Sequence, residues 1–153
     1  MNDSGQSTFI QAFGPVLCRW KRVNKTYAAL LAGSTLWCIG IIAAPLFGLS
    51  WVYAFLSRIC HQDAARSWHL FGTPLPVCIR CASIYFSFTV SLWFGLRAST
   101  RWLRISVALM LCEFVLARLL VDAALLRSFS GILVGLSAAP FVRKGAEEIR
   151  DAM

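Results

Sequence analysis

The chain has 153 residues, 58% of them hydrophobic and 14% charged, and its mean hydropathy of +0.66 argues against a water-soluble globular domain and for lipid as the natural solvent. The formal net charge is +8, but the basic residues fall in small groups at predicted helix ends and form no groove-reading module, which argues against nucleic acid as a partner. Residues 1–26 are polar and then basic, with Phe9, Phe13 and Trp20 spaced among them. They are expected to form a cytoplasmic, partly amphipathic segment on the membrane surface.

Four apolar stretches follow. Tyr27 to Leu49 carries no charged residue, and at about 1.5 Å per residue it is long enough to cross a hydrocarbon core of roughly 30 Å. It is read as a retained membrane helix rather than a signal peptide, whose apolar core is shorter and ends in a small-residue cleavage site. Residues 50–59 would overextend this span, so Pro45 and Gly48 are expected to break it and leave a short interfacial or re-entrant helix, with Trp51 and Tyr53 at headgroup depth. Ile79 to Leu96, Trp102 to Val121 and Ala124 to Val142 are the remaining candidate spans. The expected fold is therefore an all-α membrane protein, a bundle of about four transmembrane helices over residues 27–142, followed by a cytoplasmic tail at 143–153. Ser83, Ser87, Ser91 and Gly95 recur every four residues down the second span, and Gly131, Gly135 and Ala139 down the fourth. Such small-residue faces let backbones approach closely in lipid, so the two spans are expected to touch each other or a membrane partner subunit.

Charge sets the expected orientation. Arg19, Lys21, Arg22, Lys25, Arg97, Arg101, Arg104, Arg143, Lys144 and Arg150 fall on one side, leaving Arg58, Arg66, Arg80, Arg118 and Arg127 for the other. The richer side is cytoplasmic by the positive-inside rule, which predicts a multi-pass inner-membrane protein with both termini inside and the loop at 60–81 on the outer face. On that topology the turn bearing Arg118, Asp122 and Arg127 emerges beside the loop. Arg118 and Asp122 are spaced for an intrahelical ion pair, whose role is either to neutralise a helix end or to support the site in the loop.

The loop, CHQDAARSWHLFGTPLPVCIRC, holds a Cys-His pair and a Cys-x-x-Cys pair. Three thiols and an imidazole point first to a tetrahedral metal site formed by Cys60, His61, Cys78 and Cys81, for zinc or alternatively iron or copper. His69 is a second nitrogen donor, and Arg66, Arg80, Arg118, Asp122 and Arg127 are candidates to surround the ligands. Cys78 and Cys81 open the second span, where the helix dipole, Arg80 and Arg66 are expected to favour thiolate. The alternative is thiol-disulfide chemistry, with Cys78 and Cys81 cycling, Cys60 resolving and a quinone as electron acceptor. A third reading is a non-catalytic accessory subunit in which the cluster is only a metal or disulfide staple. Cys18, Cys38 and Cys112 stand outside all three as small hydrophobes. Glu113, in the middle of the third span, is expected to be a neutral carboxyl bonded to a serine of a neighbouring helix, with a proton carrier or a partner for Arg118 as the alternatives.

A Cys-x-x-Cys at the outer end of one of four short helices is similar in architecture to quinone-linked disulfide-forming membrane enzymes and vitamin K epoxide reductases, which generally carry a second cysteine pair. The motif series is more specific. CHQ at Cys60 to Gln62, RS at Arg66 and Ser67, and LPVCIRC at Leu75 to Cys81, followed by Ile84 and Tyr85, resemble an uncharacterised prokaryotic integral membrane family, domain-of-unknown-function family number 2085. The resemblance continues through Asp122, Arg127, Gly131 and Gly135 and spans roughly residues 28 to 142. Ala64 and Ala65 stand where that family has Pro-Glu, Ala82 and Ser83 where it has Thr-Gly, and Ser87 where glycine is common. The Cys and His positions are kept. The resemblance implies a small multi-helix membrane protein with this loop as its signature and supplies no activity.

Overall fold

The computed structural model describes residues 25–97, 99–119 and 124–152. The expected amphipathic N-terminal segment lies outside these residues, as do Cys18 and Asp122 and the side chain of Arg118. Five α-helices make up most of the described chain: α1 (Lys25–Phe47), α2 (Ser50–Leu56), α3 (Ile79–Phe94), α4 (Thr100–Leu119) and α5 (Ala124–Asp151).

Glycine sets two of the helix ends. Gly48 and Gly95 sit at φ 62° and 60°, a left-handed conformation that closes a helix at no Cβ cost. Leu49 N–H then reaches back to the Ala44 carbonyl at 3.0 Å, and Leu96 N–H to Ser91 at 3.2 Å, each six residues round the closing turn. Gly48 is therefore the break after the first span, while Pro45 stays inside the helix.

Helix α5 does not stop at Val142 but runs on to Asp151, through Pro140. Arg143 pairs with Glu147 at 3.1 Å and Lys144 with Glu148 at 3.7 Å, four residues apart, which supports the extension. Proline at 140 removes the N–H that would bond the Leu136 carbonyl. Ser91 Oγ of α3 donates to that carbonyl instead, at 2.9 Å.

Two helices are long and apolar enough to cross a membrane, Lys25–Phe47 and Ala124–Ile149. Helix α3 is apolar but has 16 residues, about 24 Å of rise, and α4 carries Arg101, Arg104, Glu113 and Arg118. Helices α3 and α5 pack along the small-residue faces read from the sequence. A Cβ on Gly131 would lie 2.9 Å from the Arg80 carbonyl, and one on Gly135 2.4 Å from that of Ile84.

The all-α expectation leaves out a hairpin in the loop. His69–Leu70 (β1) pairs antiparallel with Thr73–Pro74 (β2), joined by Phe71 and Gly72 at φ 52° and 80°. Two consecutive positive φ values match the right-handed twist of a two-residue hairpin. Beneath the loop, Ile41 and Ala44 of α1, Val52 and Leu56 of α2, Cys60, Leu75, Val77 and Ala82 form a buried apolar cluster. This cluster seats both ends of the loop and so fixes the distance between the Cys-His and Cys-x-x-Cys pairs.

Candidate metal centre

The Cys-x-x-Cys pair is built on the start of α3. Cys78 is the N-cap, with extended backbone at φ −67° and ψ 160°, so Cys81 is the third residue of the helix. Cys78 makes no side-chain capping hydrogen bond, and its sulfur and that of Cys81 lie within 4.8 Å of each other. Cys60 arrives from the other end of the loop. Its N–H bonds the Leu56 carbonyl at 2.8 Å, continuing α2 by a turn, and its sulfur accepts the Cys78 N–H at 3.2 Å.

The residue after the Cys-His pair secures this arrangement. Gln62 adopts a left-handed φ of 49°, and its side-chain amide donates to the Tyr53 carbonyl at 2.7 Å. Tyr53 in turn donates its hydroxyl to the Pro74 carbonyl at 2.6 Å, tying α2 to the hairpin. Ser67, buried, donates to the Asp63 carbonyl at 2.9 Å. The Gln of CHQ and the Ser of RS therefore hold the loop rather than the ligand.

The ligand atoms of Cys60, Cys78 and Cys81 all lie within 4.8 Å of one another. Tetrahedral thiolates at about 2.3 Å from zinc are about 3.8 Å apart, so the sulfurs need close by only about 1 Å around an ion. His61 is exposed and outside this group, but it lines the cavity onto which Cys60 and Cys78 open. That cavity has a volume of about 820 Å³, and Arg66, Arg80 and Arg127 also line it. His69 is exposed on β1 and takes no part in the wall.

The Cys78 thiol is pulled down from its ordinary value to about 5, chiefly because Cys81 donates a hydrogen bond to it; burial opposes this, and the Cys81 and Arg80 backbone amides and Cys60 assist. The expected direction is present at Cys78, where its cause is local hydrogen bonding and not the Arg80 guanidinium, but it is reversed at Cys81, whose thiol is pushed up chiefly by the hydrogen bond it gives Cys78 and further by burial. The depressed value at Cys78 means that its thiolate persists as pH falls until about 5. In metal-free protein, carbamidomethylation of Cys78 should therefore level off above about pH 6, whereas an ordinary thiol gains tenfold per unit up to about 8.5. Peptide mass spectrometry across pH 4 to 9 reads this, and Cys81→Ala, which removes the side-chain donor, should move the midpoint up.

The Arg80 guanidinium turns to Glu113, with Nη2 at 2.6 Å from Oε2. Arg127 Nε lies 3.9 Å from the other oxygen, and Ser130 Oγ donates to Oε2 at 3.3 Å. The serine of a neighbouring helix is thus present, but the expected neutral carboxyl is replaced by an ion-paired one. Its partners come from α3 and α5. Glu113 is 5% exposed and Arg127 8%, so one carboxylate joins three helices beneath the cavity. Sequence reasoning placed Arg127 beside the loop and flagged Glu113, but missed that they meet, because 14 and 33 residues separate Glu113 from Arg127 and Arg80. Arg80 Nε is buried and has no hydrogen-bond partner among the described residues.

An uncharacterised protein of the archaeon Methanocaldococcus jannaschii is 33% identical over 75 residues, a match that covers 41% of this chain and 48% of that protein. The chain thus matches about half the length of that relative. No solved structure matches the chain. The family model described as predicted membrane protein (DUF2085) matches residues 60–141, from the first cysteine of the site to the far side of Pro140. With more than half its length matched, from the cysteine site through α3, α4 and most of α5, this chain belongs to the DUF2085 family of predicted membrane proteins.

Proposed function

We propose that this protein is a multi-pass inner-membrane protein whose loop carries a metal centre on Cys60, Cys78 and Cys81, with zinc the ion best suited and iron or copper the alternatives. The observation that carries the reading is the convergence of three sulfurs from two ends of a loop within 4.8 Å. A disulfide needs two. The third sulfur is brought in by its own backbone hydrogen bond from Cys78 N–H, the kind of N–H to sulfur contact that stabilises thiolate charge. Of its possible ions, zinc accepts an all-thiolate environment without redox change.

The distribution of basic residues supports placing both termini in the cytoplasm and the loop on the outer face. Four spans follow if α3 and α4 cross as well, sheltered by their neighbours. Helix α3 packs closely on α5, and the Glu113 of α4 meets arginines of α3 and α5, which is how a charge-bearing helix is tolerated in lipid.

Elemental analysis of the purified protein tests the centre. One equivalent of zinc, iron or copper is expected, falling below about a tenth in Cys78→Ser or Cys81→Ser, since loss of one thiolate typically costs orders of magnitude in affinity. A second reading is favoured by the hydrogen bond between Cys78 and Cys81, which suits a redox pair. The two thiols would then give up two electrons and two protons to a quinone, forming a disulfide and a quinol. Protein free of metal, with two thiols that appear only after reduction, would decide for this second reading.

A further inference from the structure

The sulfur site is open on one side. Among the described residues no fourth Cys, His, Asp or Glu joins the three sulfurs, and the nearest imidazole in sequence, His61, stands on the wall of the adjoining cavity. Closed four-ligand sites belong to structural metals, whereas three protein ligands and an accessible fourth position belong to sites that bind something else. The cavity of about 820 Å³ is within the usual range for a small-molecule site. Two of its residues bear the sulfurs.

The rest of the lining identifies the chemistry of what enters. It presents Arg66, Arg80 and Arg127, with Asp63 as the acidic residue of the lining. The Glu113 carboxylate, which is not among the lining residues, pairs with Arg80 and Arg127. Asp63 does the same with Arg66, at 3.4 Å. A divalent ion on three thiolates carries a net charge of −1 and would by itself repel an anion. Three arginines in the same lining offset part of that charge, although Arg80 and Arg127 already share Glu113 and Arg66 pairs with Asp63, and planar guanidinium forks match the oxygen pairs of a carboxylate or phosphate.

We propose that the cavity admits an oxyanion, free or as the phosphate of a lipid headgroup, to the fourth position of the metal centre, with Arg66, Arg80 and Arg127 binding its oxygens. The proposal rests on the metal reading above, and cobalt(II) substitution separates the two. Thiolate-to-cobalt charge-transfer bands report the three sulfurs, and the weaker d–d bands report the fourth ligand. In detergent, sodium phosphate and sodium formate should shift the d–d bands at unchanged charge-transfer intensity. Arg66→Gln, on an exposed side chain, should raise the apparent Kd for phosphate about fivefold, the loss of one exposed charged contact, and leave the shift produced by imidazole unchanged.

Each contrary result is distinct. Absence of charge-transfer bands overturns the metal reading itself. Bands that respond to imidazole but to neither anion overturn the choice of ligand. Bands that respond to no probe in the wild type, but change on His61→Ala, overturn the open position and make His61 the fourth ligand. The two sources of phosphate are told apart in nanodiscs without added phosphate: d–d bands shifted from those in phosphate-free detergent support the lipid source, and bands unchanged from that reference in both phosphatidylglycerol and phosphatidylcholine, which each carry a headgroup phosphate, support the free ion.

Discussion

Gly135→Ala should destabilise the protein by about 2–3 kcal/mol, a loss at the upper end of overpacking costs, although the change adds one methyl group. A Cβ at that position would sit 2.0 Å from Ser87 Oγ, 2.4 Å from the Ile84 carbonyl oxygen and 3.0 Å from the Phe88 amide nitrogen. Two of those three atoms are backbone. A rotamer change cannot move them, so α3 and α5 must separate and forfeit the close contact that holds helices together in lipid. The Ser87 hydroxyl is itself fixed by a 2.6 Å bond to the Ser83 carbonyl. Pairing Gly135→Ala with Ser87→Gly should therefore recover only part of the loss, because the Ile84 carbonyl still blocks the methyl. The control is Gly145→Ala in the same helix, where nothing lies within 4 Å of the added atom, and alanine should be neutral or slightly stabilising. Unfolding midpoints in detergent measure all three. Equal midpoints for the alanine variants at 135 and 145 would mean that α3 and α5 do not pack on this face.

That contact was legible because its signal is periodic. Small residues every four positions down two separate helices carry the same message wherever the helices lie, and the structure brings Ser83, Ser87 and Ser91 against Gly131, Gly135 and Leu136. The convergence of the cysteines was legible for a related reason, since Cys78 and Cys81 are three residues apart at a helix start that two prolines announce. What the sequence did not convey depends on long-range geometry. The hairpin at 69–74 hides behind a Phe-Gly turn in place of the usual Asn-Gly. The continuation of α5 past Pro140 depends on a hydroxyl from α3 that takes over the lost backbone bond. Sequence position makes Arg80 a neighbour of the thiols, because it lies between them. In the fold its side chain leaves them for a carboxylate 33 residues away.

Glu113→Ala should cost about 3–5 kcal/mol, the characteristic penalty for leaving buried charge without its partner. The carboxylate is nearly inaccessible, with 4% of its side chain exposed, and it faces Arg80, 22% exposed, and Arg127, 10% exposed. Its removal takes the shared carboxylate from two guanidinium groups at once. Arg127→Met leaves Glu113 its 2.6 Å pair with Arg80, so its cost should be smaller than that of Glu113→Ala. Glu113→Gln should fall between the two, since the amide oxygen can still accept from Arg80 and Ser130 but brings no charge to balance either arginine. The order Ala, Gln, then Arg127→Met is specific to one carboxylate shared by two cations. A carboxyl bonded only to Ser130 would instead make Gln nearly harmless. The same logic predicts the double-mutant cycle: in an Arg80→Met background, Glu113→Ala leaves one guanidinium rather than two, and its cost should drop by at least about 1 kcal/mol. Additive costs would show that Arg80 and Glu113 do not interact. Because Arg80 lies between Cys78 and Cys81, these variants also test how firmly the chain beside the sulfurs is held, and on the metal reading proposed above the affinity for zinc should weaken in the same order as stability.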